Sequence, residues 1–186
     1  MGCSAFGIIV AMRDSPHFDE NDKFNQDRIR LADIDGSGTT GIIYLFKDGI
    51  DTYHDESGNR WSPPTHLTVF LHIDSFSNVG AVDILGSGTV CLDWPWSLPD
   101  DASHSMRYID LVAARKPHLL VKTVNNLGSE TRTSYTPSTT FHIRDKECGK
   151  AWETKLPFPI HCVKKQETYD RISHNRFVFR YAYHHG

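Results

Sequence analysis

Apolar and β-branched residues come in short runs along the whole chain, separated by clusters of Gly, Pro, Asn and Asp, and helical periodicity is almost absent. That pattern predicts an all-β fold. In the first half the runs cover Phe6 to Met12, Ile42 to Phe46, Leu67 to Ile73, Ala81 to Ile84 and Val90 to Trp94. Turns between them come from KDG at 47–49, ESGN at 56–59 and SPP at 62–64, where Gly tolerates positive φ and Pro fixes its own. In the second half the runs are MRYIDL (106–111), HLLVKTV (118–124), TRTSYT (131–136), TTFHIR (139–144), PIHCVKKQETY (159–169) and RFVFRYAY (176–183). Alternation on both sides of NNLGSE, from Leu119 to Tyr135, predicts a hairpin with Gly128 in the left-handed turn position. The last run is expected to leave an unpaired strand edge, because it ends on His184, His185 and Gly186 without a turn or polar tail.

One phrase occurs twice: ADIDGSGT at 32–39 and VDILGSGT at 82–89, aligning Asp33 with Asp83. Repeats at such a period mark arrays in which each unit borrows its core from a neighbour, and propeller blades run at roughly forty to fifty residues. Two copies cannot close a ring that needs about four to eight blades. The proline-rich and acidic passage WPWSLPDDASHS at 94–105 has no alternation and reads as a boundary. The expected organisation is therefore propeller-like repeats over 1–96, a linker over 97–105, and an antiparallel strand segment over 106–186.

Charge narrows the partners. With 20 basic and 23 acidic residues mixed along 186 positions, the net charge is −3, which predicts neither nucleic-acid binding nor an anionic membrane surface. No charge-free stretch approaches the roughly 18 residues of a spanning helix, so no direct membrane insertion is expected. The N-terminal MGCSAFGIIVAM lacks a basic region ahead of its apolar run, so it reads as a strand rather than a signal peptide; Phe6 stands where a myristoylation motif has Ser or Thr. Cys3, Cys91, Cys148 and Cys162 are far apart with no C-x-x-C, which points to buried free thiols rather than a zinc site.

The first loop, DIDGSGTTG at 33–41, is the metal candidate: Asp33, Asp35, Ser37 and Thr39 alternate around Gly38, as oxygen ligands for calcium do. The charge is short by two, because Ser37 and Gly41 stand where such loops carry acids; the competing reading is a turn in which Asp and Ser side chains bond backbone N–H groups. Leu85 replaces the second acid in the other copy, so that loop is expected not to bind calcium. No other cofactor is implied. The eleven histidines include no H-E-x-x-H, His184 and His185 point to opposite faces of a strand, and His161 and His174 read as ordinary surface or core histidines. No nucleophile elbow or helix-opening phosphate loop is present, and no catalytic residue is assigned. Trp94, Trp96, Tyr181 and Tyr183 read as packing residues, with sugar stacking as the alternative.

RIRLADIDGSGTTGIIYL (28–45), SMRYIDLVAARKPHLLVKTVNNLGSETRTSYTPST (105–139) and GKAWETKLPFPIHCVKKQETYDRISHNRFVFRYAYHHG (149–186) resemble the middle region of the B component of insecticidal toxin complexes, the Tc toxins. The first stretch is similar to FG-GAP or VCBS-type propeller repeats, the others to the segments leading toward the Rhs shell. The resemblance implies partial propeller blades followed by a piece of Rhs-type shell. It also implies A and C components as partners, a secreted setting, and a role in docking and encapsulation without chemistry. Gly41 departs from the acid common in the family's repeat, which weakens the calcium reading. The alternative from another class is a free-standing module that binds a host glycan or a calcium-dependent partner.

Overall fold

The computed structural model describes residues 10–18, 24–46, 49–68, 78–95, 106–113 and 115–185. The chain divides into two compact units, one drawn from 1–34, 38–81 and 93–108, the other from 35–37, 82–92 and 109–186. Open sheets carry most of the regular structure, so the all-β expectation holds, with one short helix added. No ring of blades closes among the described residues. Parts of the predicted runs at 6–12 and 67–73, and all of the 97–105 linker with its neighbour Trp96, lie outside them.

In the first unit β1 (Ile29–Ala32), β2 (Gly41–Leu45), β3 (Ile50–Tyr53) and β4 (Thr65–Leu67) form an antiparallel sheet in chain order. Strand β2 reads GIIYL and is buried at every position, as a central strand covered on both faces must be. Its alternate residues face opposite ways, and on one face Ile42 and Tyr44 join Tyr53 in a cluster edged by Phe18, Ile29, Phe46 and Trp61. Phe18 stacks on Tyr44 with ring centroids 4.8 Å apart, and Phe46 meets the same ring edge-on at 4.8 Å. At the start of β2 a Cβ on Gly41 would lie 2.7 Å from Ile34 Cδ1 and 2.8 Å from the Tyr53 oxygen, so only glycine fits. The predicted runs omit β1 and β3, whose four residues each contain a charged one, Arg30 and Asp51.

A three-stranded sheet follows, in the order β5 (Gly80–Val82), β6 (Cys91–Pro95) and β7 (Met106–Asp110). The second unit holds β8 (Lys122–Val124), β9 (Ser129–Pro137), β10 (His161–Asp170) and β11 (Arg176–Arg180), antiparallel in the order β11-β10-β9-β8. The predicted hairpin is β8–β9: Gly128 has φ 85°, and Asn125 Oδ1 accepts the N–H groups of Leu127 (3.0 Å) and Ser129 (2.7 Å).

The run TTFHIR is not a strand. It lies within helix α1 (Ser138–Glu147). Its Thr and Ile content favours strand, but tertiary partners decide: Phe141 and Asp145, one turn apart, are both buried. The first turn is tied down because Ser138 N–H donates to the Ile160 oxygen (2.7 Å) and Ser138 Oγ accepts from Ile160 N–H (3.1 Å). Gly149, with φ 75°, ends the helix as its N–H bonds the Lys146 oxygen (3.1 Å).

Candidate functional site: aspartate clasps and a charged sheet face

The repeated phrase folds the same way twice. Asp33 Oδ2 accepts the Gly38 N–H at 2.9 Å, and fifty residues later Asp83 Oδ2 accepts the Gly88 N–H at 2.6 Å. Asp83 Oδ1 also takes the Ser87 N–H (2.8 Å) and hydroxyl (3.3 Å), while in the first loop Asp35 Oδ1 takes the Ser37 N–H (3.0 Å). Each clasp satisfies donors that a tight turn would strand, and each bends through a Gly-x-Gly pair with φ between 62° and 89°.

Within the second unit the loop segments touch one another. A Cβ on Gly36 would stand 2.5 Å from the Gly88 oxygen and 2.7 Å from Lys116 Cε. His118 Nε2 lies 2.7 Å from Asp35 Oδ2, and the Thr139 hydroxyl of α1 donates to the Gly86 oxygen at 2.7 Å. His161 is half-buried near Gly88, and its Nδ1 has no hydrogen-bond partner among the described residues. Burial, with the Lys116 cation second, holds its pKa below the ordinary histidine value against the opposing Asp83 charge.

Of the four calcium candidates, Asp33 accepts from the Gly38 N–H, Asp35 from the Ser37 N–H, and Thr39 is half-buried. Among the described residues no group of three or more His, Cys, Asp or Glu is placed to hold a metal.

The four-stranded sheet of the second unit carries a feature that sequence reading missed. Its register puts Lys122, Glu130, Arg132, Lys165, Glu167, Tyr169, Arg176 and Arg180 on one face. Glu130 is the floor, its side chain 5% exposed, and it bonds Arg171 (2.6 Å), Arg132 (2.7 Å) and Lys122 (3.3 Å). Glu167 pairs with Lys165 (2.7 Å) and Arg176. A cleft of about 590 Å³ lies over these groups, with Tyr169 and His174 completing its wall. The opposite face is uncharged along Thr123, Thr131, Thr133, Tyr135, Gln166, Thr168, Phe177 and Phe179. The signal was there as acid and base at alternate positions, E-x-R at 130–132 and K-x-E at 165–167.

These cations hold both carboxyls down to about 2, from an ordinary 4.5, led by Arg171 for Glu130 and by Arg176 for Glu167. A depressed folded-state pKa gives stabilisation that is complete above pH 4.5 and disappears as the pH falls toward about 2. The sheet is therefore expected to keep its circular-dichroism signal from pH 7 to 4.5 and to lose stability below. In a Glu130→Gln, Glu167→Gln double variant the acid-dependent part of that loss should be much reduced; an unchanged acid profile would rule the ladder out as its source.

A second buried carboxylate orders the helix. Asp145 Oδ2 accepts Trp152 Nε1–H (2.7 Å) and bonds His184 Nδ1 (2.7 Å), with Arg144 at 3.4 Å from Oδ1. The Trp152 bond first, and His184 after it, hold this carboxyl below its usual range despite burial. His185 turns elsewhere, its Nδ1 accepting from the Glu153 N–H at 3.4 Å, but neither histidine is in a strand as expected: β11 ends at Arg180 and His185 has φ 51°. An Asp–His pair is half of a nucleophile-activating relay, but no hydroxyl or thiol among the described residues bonds His184.

Among the described residues no cysteine forms a disulfide, and of the three described Cys91 is buried, Cys162 half-buried and Cys148 exposed, so the all-buried expectation fails for the latter two; Cys3 lies outside the described residues. Trp94 is buried, and Tyr183 packs edge-on against Phe141 at 5.4 Å, both as packing residues; Tyr181 is exposed.

The described residues thus present open β-sheets, with Asp33 and Asp83 engaged as turn clasps and Asp145 engaged by Trp152 and His184. The chain belongs to the insecticide toxin TcdB middle/N-terminal region family, whose model matches residues 56–186. Among solved structures it is similar to the TcdB2-TccC3 crystal structure, with 31% identity over 90% of this chain and a TM-score of 0.75. TcdB2-TccC3 without its hypervariable C-terminal region gives 31% over 87% with a TM-score of 0.71. The Tc holotoxin pore of Photorhabdus luminescens gives 32% over 90% with a TM-score of 0.74. In each case the chain spans 8% of the length of the chain it matches. No curated protein sequence matches.

Proposed function

We propose that the chain acts as a structural and docking segment of a Tc toxin B component. In this reading the clasped repeats belong to propeller-type blades that dock on the A component channel. The sheet of the second unit belongs to the wall of a shell, made with the C component, that encloses the toxic effector in a secreted complex. The observation that carries the reading is that, among the described residues, no strand of this sheet contributes a fully buried apolar side chain: one face carries an ion-pair ladder, the other threonines and exposed phenylalanines. A sheet that presents both faces suits a wall, and the likeness to TcdB2-TccC3 and to the holotoxin pore supports the setting.

The test is replacement of this segment by a flexible linker in a whole B component, followed by co-purification with A and C components. Loss of either complex is expected; retention of both would reject the reading. The loop carboxylates already serve backbone donors, which supports the turn over the calcium site. Calorimetric titration with calcium is expected to give no binding heat, and a saturable isotherm that disappears in Asp35→Ala would restore the binding-module alternative.

A further inference from the structure

Among the described residues strand β11 lies at the edge of its sheet, and all five of its residues are exposed. Tyr181 N–H donates to the Lys164 oxygen (3.0 Å) and the Asn175 oxygen accepts from Asp170 N–H (2.9 Å). Main-chain groups alternate in direction along a strand, so Phe177 and Phe179 turn theirs toward β10 while Arg176, Val178 and Arg180 turn theirs to the open edge. Side chains alternate as well. Arg176 and Arg180 stand on the charged face, where Lys122, Arg132, Lys165 and Arg171 bring the total to six cations over the two carboxylates. Phe177 and Phe179, 54% and 55% exposed, stand on the uncharged face.

From this edge we infer that β11 is a docking strand for an extended polypeptide segment with acidic residues opposite Arg176 and Arg180 and apolar residues opposite Phe177 and Phe179. Strand addition satisfies the edge donors and acceptors, and the alternation supplies specificity on each face. Charge complementarity selects the occupant: the face has four more positive than negative groups. A second copy of the chain is a poor occupant, because antiparallel self-pairing about Val178 sets Arg176 against the partner's Arg180, and like charges opposite one another repel. The inference deepens the assembly reading and rests on it for its setting, but it concerns the isolated chain, so its failure leaves the co-purification test untouched.

The experiment adds a blocked peptide with the core Glu-Val-Thr-Val-Glu, or its Lys-for-Glu counterpart, to the full 186-residue chain and follows amide exchange by NMR. The acidic peptide is expected to protect the amides of Arg176, Val178 and Arg180, and to bind less tightly as salt is raised. Val178→Pro removes an outward donor without touching the β10 ladder and should abolish protection. Arg176→Glu with Arg180→Glu should weaken the acidic peptide by roughly tenfold and favour the basic one. No protection at these three amides, equal affinity for both peptides, or an undiminished response in either variant would overturn the inference.

Discussion

Replacing Tyr44 by alanine is expected to destabilise the first unit by about 3–5 kcal/mol, the range for removing a large buried aromatic. Tyr44 is 1% exposed in the middle of a strand buried along its whole length, and its ring holds Phe18 and Phe46 in place. Two mechanisms add: transfer of the ring's apolar surface is forfeited, and the stacked neighbours lose their contacts across the void. Tyr44→Phe keeps the ring and should cost far less. Urea denaturation followed by fluorescence of Trp61, which borders the same cluster, reads both variants. A Tyr44→Ala loss under 1 kcal/mol would mean that the cluster collapses around the gap and that β2 is not the organising strand.

How far the sequence could be read follows from where period and partner agree. The β8–β9 hairpin was legible because Asn125 and Gly128 carry the turn chemistry themselves, and the side chain of one and the φ of the other do what their types allow. The repeated loop was legible for the same reason: Asp33 and Asp83 need only the backbone a few residues on. Helix α1 was not, because Thr139, Thr140 and Ile143 favour strand and what fixes the segment is remote: Asp145 reaches Trp152 and His184, and Ser138 reaches Ile160. The charged face was hidden too. Glu130 and Arg171 are far apart in sequence, and only the register of β9 on β10 shows that Glu167 stands opposite Arg132. Local chemistry can be read from a chain; which carboxylate becomes a buried floor depends on pairing.

The two clasps should differ in strength although their motifs match. Asp83→Ala is expected to cost about 2–4 kcal/mol, because it leaves the part-buried N–H groups of Ser87 and Gly88 without acceptors, and each such loss costs about 1–3 kcal/mol. The Ser87 hydroxyl also loses a partner, though it keeps Thr89, itself 2% exposed. Asp33→Ala exposes its Gly38 N–H to water, which replaces the bond, so its cost should stay near 1 kcal/mol. Asp83→Asn separates acceptor count from charge: one oxygen remains while an amide N–H₂ now faces a backbone donor, so a loss close to that of alanine points to the second acceptor. Denaturant midpoints of the four proteins, wild type included, test the ranking. Equal losses at Asp33 and Asp83 would mean that burial does not separate the repeats, and that the second loop is no more a structural anchor than the first.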